Sequence, residues 1–188
     1  MIGINNLTVD FSAKPLFNDI SFNINDGDRL ALVGKNGAGK STLLKILAGQ
    51  QVPTSGSVAL PNDISVGYLP QEMVTHDDTT LFEETKKAFS ERIALEQQLE
   101  KLTTEISTRN DHDSDEFLKL ISKADDLRNL IHVKFPENMD AEIERTLIGL
   151  GFKTSDFRRA TSEFSGGWRM RIELSKILLK KPDLLLLD

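Results

Sequence analysis

The 188-residue sequence contains no cysteine, which excludes a disulfide, a thiolate metal site and a cysteine nucleophile. No segment approaches the roughly 20 apolar residues that are needed to cross a bilayer, and the N-terminus has no signal-peptide pattern. There is no excess of positive charge, because the formal net charge is −6. Any contact with nucleic acid must therefore be local. From these absences we expect a cytoplasmic protein without a membrane span.

The hydrophobic pattern changes from strand-like to helical at about residue 79. Before that point, Ile20, Phe22 and Ile24 alternate with polar residues, as in a half-buried strand. Residues 29–33 form a short apolar run that predicts another strand. After that point, Thr80 and Glu83 have the spacing of a capping box at the head of a long helix. The N-terminal region is thus predicted to be rich in strands and the middle of the chain to be helical.

Two heptad-like stripes predict a helical hairpin in residues 80–135. The first stripe is spaced 4, 3, 4 and consists of Leu95, Leu99, Leu102 and Ile106. The second is spaced 3, 4, 3, 4 and consists of Phe117, Leu120, Ala124, Leu127 and Ile131. A short polar segment joins them, which favours an antiparallel pair that projects as an arm. Two ordinary amphipathic helices packed on the main domain are the alternative.

One glycine-rich segment carries the clearest chemistry. It fits G-x-x-x-x-G-K-[ST] without departure in Gly34, Lys35, Asn36, Gly37, Ala38, Gly39, Lys40 and Ser41. Glycines let such a loop turn its N–H groups inward, and the N-terminus of the following helix attracts negative charge. The pattern predicts a phosphate-binding loop in which Lys40 contacts the β- and γ-phosphates and Ser41 ligates Mg²⁺.

Two further features lie near the end of the chain. Four leucines, residues 184–187, fit a strand that is buried on both faces, and Asp188 follows at its carboxyl end. A carboxylate at that position is a candidate ligand of Mg²⁺, directly or through water. Ser165, Gly166 and Gly167 precede a predicted helix, where glycines allow close approach of an anion and Ser165 offers a hydroxyl donor.

These motifs together resemble the ABC ATPase superfamily over essentially the whole chain. The similarity is greatest to first nucleotide-binding domains of the ABC-F branch, soluble tandem-domain proteins associated with translation. It is carried by residues 32–44, by the segment Gly67-Tyr68-Leu69-Pro70-Gln71-Glu72, and by the signature segment 164–171. At positions 164 and 168 the usual transporter signature has Leu and Gln, whereas this chain has Phe164 and Trp168.

The resemblance implies an α/β P-loop core of ABC type with an antiparallel β part and a helical subdomain that carries an arm hairpin. It divides the chain into a first core part, a helical subdomain and a returning core part, at residues 1–75, 76–160 and 161–188. It also implies that Gln71 contacts Mg²⁺ and the attacking water, that Phe11 stacks on adenine, and that Thr42 belongs to the phosphate loop. A core phenylalanine is the alternative for Phe11.

The resemblance further implies ATP and Mg²⁺ as ligands and a second ABC domain as partner, because ATP is sandwiched between the phosphate loop of one domain and the signature of the other. We expect an ATPase coupled to the ribosome; the nucleotide-binding subunit of a membrane transporter is the alternative, and an ATP-binding scaffold without turnover is a third possibility. The region 81–135 has 9 Lys and Arg against 12 Asp and Glu, which disfavours RNA contact through the arm.

Members of the family continue beyond the aspartate at the end of this strand into a catalytic glutamate. We therefore expect the 188 residues to be part of a longer ATPase, and expect this part to bind ATP without hydrolysing it at a useful rate. A positioned general base typically contributes about 10²–10⁴-fold to a rate.

Overall fold

The computed structural model describes residues 1–11, 14–71 and 79–188. The chain forms two compact units, one of Met1–Val74 with Lys181–Asp188 and one of Thr75–Lys180. The division into residues 1–75, 76–160 and 161–188 stays a prediction.

The first unit contains two small sheets and one helix. Its elements are β1 (Ile2–Phe11), β2 (Lys14–Ile24), α1 (Lys40–Leu47), β3 (Ser55–Ala59), β4 (Val66–Leu69) and β5 (Leu184–Leu187). One sheet is antiparallel, in the order β2-β1-β3, and in the other β4 pairs with β5 in parallel. Two strands that are distant in sequence thus lie side by side, and both end near the start of α1.

Alternation of apolar side chains explains the antiparallel sheet. In β1, Ile2, Ile4, Leu7 and Val9 are buried and pack with α1 in one core. Ile20, Phe22 and Ile24 of β2 border the same core as partly buried residues, as the sequence predicts. Burial of one face leaves the other face polar, which is usual for antiparallel sheets.

The strand predicted at residues 29–33 is wrong. These residues have no regular secondary structure, and the exposed fractions of Leu30 and Val33 are 65% and 89%. A strand requires a neighbour that completes its backbone hydrogen bonds. Within the part of the chain that the structure describes, no strand pairs with this run. The glycine-rich loop is therefore preceded by a segment without regular secondary structure.

The second unit is helical. It contains α2 (Leu81–Lys86), α3 (Ser90–Thr108), α4 (Asp115–Lys134), α5 (Met139–Gly149) and α6 (Gly166–Leu179), with 3-10 turns at Lys87–Phe89, Thr154–Asp156 and Thr161–Glu163. Its core is built from buried residues of these helices and turns and of the segments that join them: Leu81, Phe89, Ile143, Leu147, Phe152, Phe157, Phe164, Ile172 and Leu179.

The long helix predicted to start at Thr80 is broken. Thr80 does cap a helix, because its hydroxyl accepts a hydrogen bond from the Glu83 N–H at 3.4 Å. That helix, α2, ends at Lys86, and the long helix begins only at Ser90. The two helices are joined by the 3-10 turn Lys87–Phe89, and Leu81 and Phe89, at the two ends of the segment, are both buried in the core.

The predicted hairpin is confirmed. Its two helices, α3 and α4, run antiparallel, since Glu91 at the start of α3 meets Lys134 at the end of α4 at 2.6 Å. At the opposite end Arg109 lies 3.2 Å from Glu116. The predicted stripes face inward: Phe117 and Ala124 are buried, and the remaining stripe residues are half-buried.

In the described ranges, no helix has the length and apolarity to span a bilayer.

A buried carboxylate ties α2 to α6. Glu84 is 5% exposed and accepts hydrogen bonds from Lys176 at 2.7 Å, from Lys87 at 2.5 Å and from Thr79 at 3.0 Å. Burial by itself would raise the pKa of Glu84, but these hydrogen bonds, from Lys176 first, lower it to about 2. The charged form of the carboxylate is thus stabilised within the folded unit.

We expect Glu84→Gln to lower the free energy of unfolding at neutral pH by about 2–3 kcal/mol, because the folded pKa lies below the ordinary value. For a carboxyl with a lowered folded pKa, this stability is complete above the unfolded pKa, near 4.5, and is lost as pH falls towards 2. Denaturant unfolding between pH 7 and pH 3 measures the difference. Glu83→Gln, which changes an exposed neighbour in the same helix, is the control; equal losses in the two variants would refute the assignment.

Candidate functional site

The glycine-rich loop, residues 34–39, leads directly into α1. Gly39 occupies the N-cap position with φ of 93°, in the left-handed region, and Gly37 has φ of 78°. These conformations are costly for residues with a Cβ atom. A Cβ on Gly39 would also lie 2.5 Å from the Phe17 ring and 2.7 Å from Leu16. Glycine at 39 is therefore required both by the backbone conformation and by the close approach of β2.

Lys40 is the first residue of α1, and its ammonium lies over the loop. Its Nζ donates to the carbonyl oxygens of Gly34 and Lys35, both at 3.0 Å. The N-terminus of α1 adds unpaired N–H groups at the same place, because the first turn of a helix has no intrahelical acceptors. The loop thus concentrates positive charge and backbone donors at one place, which suits a polyphosphate.

Ser41 and Asp188 are 147 residues apart in sequence and meet beside this loop. The Ser41 hydroxyl donates to Asp188 Oδ1 at 2.8 Å. Ser41 lies in the first turn of α1, and Asp188 directly follows β5, with its backbone N–H bonded to the Leu69 carbonyl at 3.0 Å. The structure therefore brings together two of the three residues that the sequence predicted to contact Mg²⁺, and shows no contact of Gln71 with either.

The second oxygen of the carboxylate has its own partner. The Tyr68 hydroxyl donates to Asp188 Oδ2 at 3.0 Å. Burial, and then the hydrogen bond to Asp188, raise the pKa of Tyr68 to about 12. The phenol therefore keeps its proton at neutral pH and acts as a donor to the carboxylate.

The donor set fits Mg²⁺ bound together with a nucleotide. Hydroxyl and carboxylate oxygens are hard ligands, and Mg²⁺ typically retains several waters while taking one or two carboxylates plus substrate phosphates. No group of three His, Cys, Asp or Glu side chains that could hold a metal ion occurs among the residues described here. The described side chains therefore do not form a complete metal site by themselves. The Ser41–Asp188 pair fits a site in which phosphate oxygens supply further ligands.

The structure shows no contact that tests the predicted roles of three other site residues, Gln71, Thr42 and Phe11. Gln71 lies just after β4 and is exposed, and its role in contacting Mg²⁺ and water stays a prediction. Thr42 is half-buried in the first turn of α1. Phe11 closes β1 and pairs with Lys14, but its side chain lies outside what the structure describes, so stacking on adenine stays a prediction.

The predicted signature belongs to the second unit. Ser165 is the N-cap residue of α6, and Gly166 and Gly167 form its first turn. A Cβ on either glycine would meet nothing within 4 Å, so the chain there is open to approach. The Ser165 side chain caps no N–H group of its own helix. The arrangement is suited to an anion, and the assignment of the three residues to ATP remains a prediction.

Aromatic and arginine side chains hold the chain just before the signature. The Phe164 ring is buried edge-on against Phe152, with centroids 5.7 Å apart. Arg169 donates from Nε to the Phe164 carbonyl at 2.9 Å and from a terminal nitrogen to the Ser162 carbonyl at 3.0 Å. Trp168 packs on Phe152 at 4.9 Å and stacks under Arg171 at 4.5 Å. Phe164 and Trp168, which replace the Leu and Gln of the usual transporter signature, thus contribute to packing.

Sequence reasoning missed the roles of Tyr68 and Arg169. Tyr68 is the single tyrosine of the sequence. Its place in the segment 67–72, which carries part of the family resemblance, was the only signal of a role in the site. Its contact depends on the pairing of β4 with β5, however, and no local pattern specifies that pairing. Arg169 carried no signal beyond its place in the signature segment.

A glycine-rich loop that opens a helix, with a serine and a strand-end aspartate beside it, defines a P-loop nucleotide-binding core. The chain belongs to the ABC transporter family, whose family model matches residues 17–188. The resemblance drawn from the motifs is thereby confirmed.

Its relatives include proteins of the ABC-F branch. The chain is 37% identical over its whole length to ABC transporter F family member 5 of Arabidopsis thaliana, and spans 27% of that protein. It is 35% identical, over 93% of its length, to the energy-dependent translational throttle protein EttA of Escherichia coli K12, and spans 30% of it. The chain therefore corresponds to less than a third of either relative.

Solved structures share the fold. A dimeric bacterial ABC transporter cassette matches the whole chain over 73% of its own length, with a TM-score of 0.63 and 18% identity. A dimeric post-hydrolysis form of that cassette, bound to ADP and Pi, matches with a TM-score of 0.62. At this identity the likeness establishes the fold alone, and it confirms the predicted α/β core of ABC type.

The loop geometry predicts different costs for two glycine substitutions. Gly37→Ala should lower the free energy of unfolding by about 1–2 kcal/mol, the cost of a left-handed conformation, because nothing surrounds its Cβ. Gly39→Ala should lower it by a further amount of about 1–3 kcal/mol, because the new methyl group overlaps Phe17 and Leu16. Denaturant unfolding of both variants measures the difference. Equal costs would show that β2 does not press on the loop.

Proposed function

We propose that this chain binds Mg·ATP through residues 34–42. The observation that carries the proposal is the Ser41–Asp188 hydrogen bond beside the Lys40 ammonium. It assembles a phosphate loop, a helix N-terminus and a carboxylate at one place. No other group of described residues combines these three features.

Each side chain has a separate task in this proposal. The Lys40 ammonium exchanges its two carbonyl partners for phosphate oxygens, with a gain in charge complementarity. Backbone N–H groups of the loop and of α1 hold the remaining phosphate oxygens. Ser41 and Asp188 hold Mg²⁺, which when bound neutralises charge on the phosphates. Phe11 is proposed to stack on the adenine.

ATP hydrolysis is proposed for the whole protein, with Gln71 orienting the attacking water. The proposal also includes a second ABC domain as partner. Ser165, Gly166 and Gly167 are then assigned to the nucleotide held by the partner's phosphate loop. The openness of the first turn of α6 and the dimeric state of the cassette with the same fold support this assignment.

We further propose that the ATPase acts on the translation machinery. The support is the similarity to ABC-F members and to EttA, whose name describes a translational throttle. The hairpin of α3 and α4 offers an interaction surface, but its tip is acidic and internally paired, with Arg109 held by Asp111 at 2.6 Å and by Glu116 at 3.2 Å. Contact with RNA is therefore proposed through surfaces other than this tip. Membrane transport remains the alternative, favoured by the names of the solved structures.

Lys40→Ala should weaken Mg·ATP binding about 10- to 100-fold, since one charge-assisted contact is typically worth about 1.5–3 kcal/mol. Titration calorimetry measures the affinity. Lys45→Ala removes the same charge from the exposed far end of the same helix and is the matched control; it should bind ATP within about twofold of the wild type. Unchanged affinity in Lys40→Ala would refute the proposed site.

Co-sedimentation separates the translation proposal from the transport alternative. We expect the protein to sediment with ribosomes when a hydrolysis-resistant ATP analogue is present and to remain in solution without it. Lys40→Ala should lose this dependence, because the nucleotide no longer stabilises the bound form. Nucleotide-dependent binding to membrane vesicles from the same cells, with none to ribosomes, would favour transport instead.

A further inference from the structure

The pairing of β4 with β5 places the side chains of Tyr68 and Asp188 on one face of the sheet. Tyr68 is opposite Leu186 in the parallel register. Because side chains alternate between faces along a strand, Asp188 has the same facing as Leu186 two residues earlier. Leu186 is 5% exposed and belongs to the core of the first unit. The Tyr68 hydroxyl therefore extends past a buried leucine to the carboxylate at the strand end.

The two oxygens of Asp188 are thus fixed by separate donors. Ser41 donates to Oδ1 at 2.8 Å and Tyr68 donates to Oδ2 at 3.0 Å. With both oxygens bonded, the carboxylate cannot rotate freely about its terminal torsion. Each oxygen accepts more than one bond, so lone pairs remain for a metal or its water. Tyr68 contacts neither the loop nor a phosphate position through any hydrogen bond that the structure shows.

We propose that Tyr68 is a positioning residue for Mg²⁺: its hydroxyl orients the Asp188 carboxylate towards the metal that accompanies the nucleotide. This assignment rests on the proposed function. Outer partners of metal ligands typically change metal affinity about 10- to 100-fold when removed. Tyr68 therefore contributes to the metal-dependent part of ATP affinity and leaves the contact between the loop and the phosphates unchanged.

The test compares ATP affinity with Mg²⁺ and with a chelator, for wild type and Tyr68→Phe, by fluorescence titration of a labelled ATP. The phenylalanine keeps the ring that packs against the core and removes only the hydroxyl. We expect the affinity in chelator to be unchanged and the gain produced by Mg²⁺ to fall about 10-fold. An unchanged gain, or an equal fall under both conditions, would overturn the assignment, since a merely structural role weakens both.

Ser65→Ala is the matched control for loss of a hydroxyl from the same strand pair. Ser65 donates to Asp183 at 2.7 Å at the opposite end of the β4–β5 pair, far along the strands from Asp188. It should leave both affinities within about twofold of the wild type, because it touches no group of the site. A fall in the Mg²⁺-dependent gain as large as that in Tyr68→Phe would overturn the positioning role in favour of general sheet stability.

The contact between Tyr68 and Asp188 can also be tested spectroscopically, without an amino-acid substitution. Tyr68 is the sole tyrosine, so incorporation of 3-fluorotyrosine gives a single ¹⁹F resonance. We expect this resonance to shift when Mg²⁺ is added to the ATP-bound protein; no shift would count against the contact. If wild-type protein binds no ATP at all, the proposed function fails and this assignment with it. If ATP binding is observed and requires Lys40, but Mg²⁺ raises the ATP affinity of Tyr68→Phe as much as that of the wild type, only the assignment of Tyr68 fails.

Discussion

The hydrogen bond between Ser41 and Asp188 is the interaction on which the candidate site depends. It joins the start of α1 to the end of β5 across most of the length of the chain. Neither residue alone is a metal site: a serine in a helix and an aspartate after a strand are both common at surfaces. Their meeting at the start of α1, where Lys40 is the first residue, brings a hydroxyl and a carboxylate to the loop that the ammonium contacts. The proposed binding of Mg·ATP rests on that combination.

The carboxylate is held from two directions, and the two sides have different origins. Ser41 reaches it from the phosphate loop, so its position follows the loop and its glycines. Tyr68 reaches it from the neighbouring strand, so its position follows the parallel register of β4 and β5. A shift of one residue in that register would turn Tyr68 to the other face of the sheet. The site therefore depends on sheet pairing as well as on its motif.

The helical unit shows the same dependence on long-range contacts. Glu84 is held by Lys176, which is 92 residues away, and the pair joins α2 to α6, the helix that carries the signature. Phe164 and Arg169 then fix the chain immediately before Ser165. The signature glycines are open, whereas the residues before them are packed. A packed and hydrogen-bonded support beside an exposed backbone is an arrangement suited to holding an anion.

Local sequence patterns were sufficient for the glycine-rich loop and the helix that follows it, the cap at Thr80 and the inward stripes of the hairpin, because each depends on neighbouring residues or on helical periodicity. Tertiary structure decided the rest. A 3-10 turn at Lys87–Phe89 interrupts the helical pattern, and residues 29–33 form no strand because a strand needs a partner. The contacts of Asp188 with Ser41 and Tyr68 require β5 beside β4, and only the folded chain brings residues so distant in sequence within hydrogen-bonding distance.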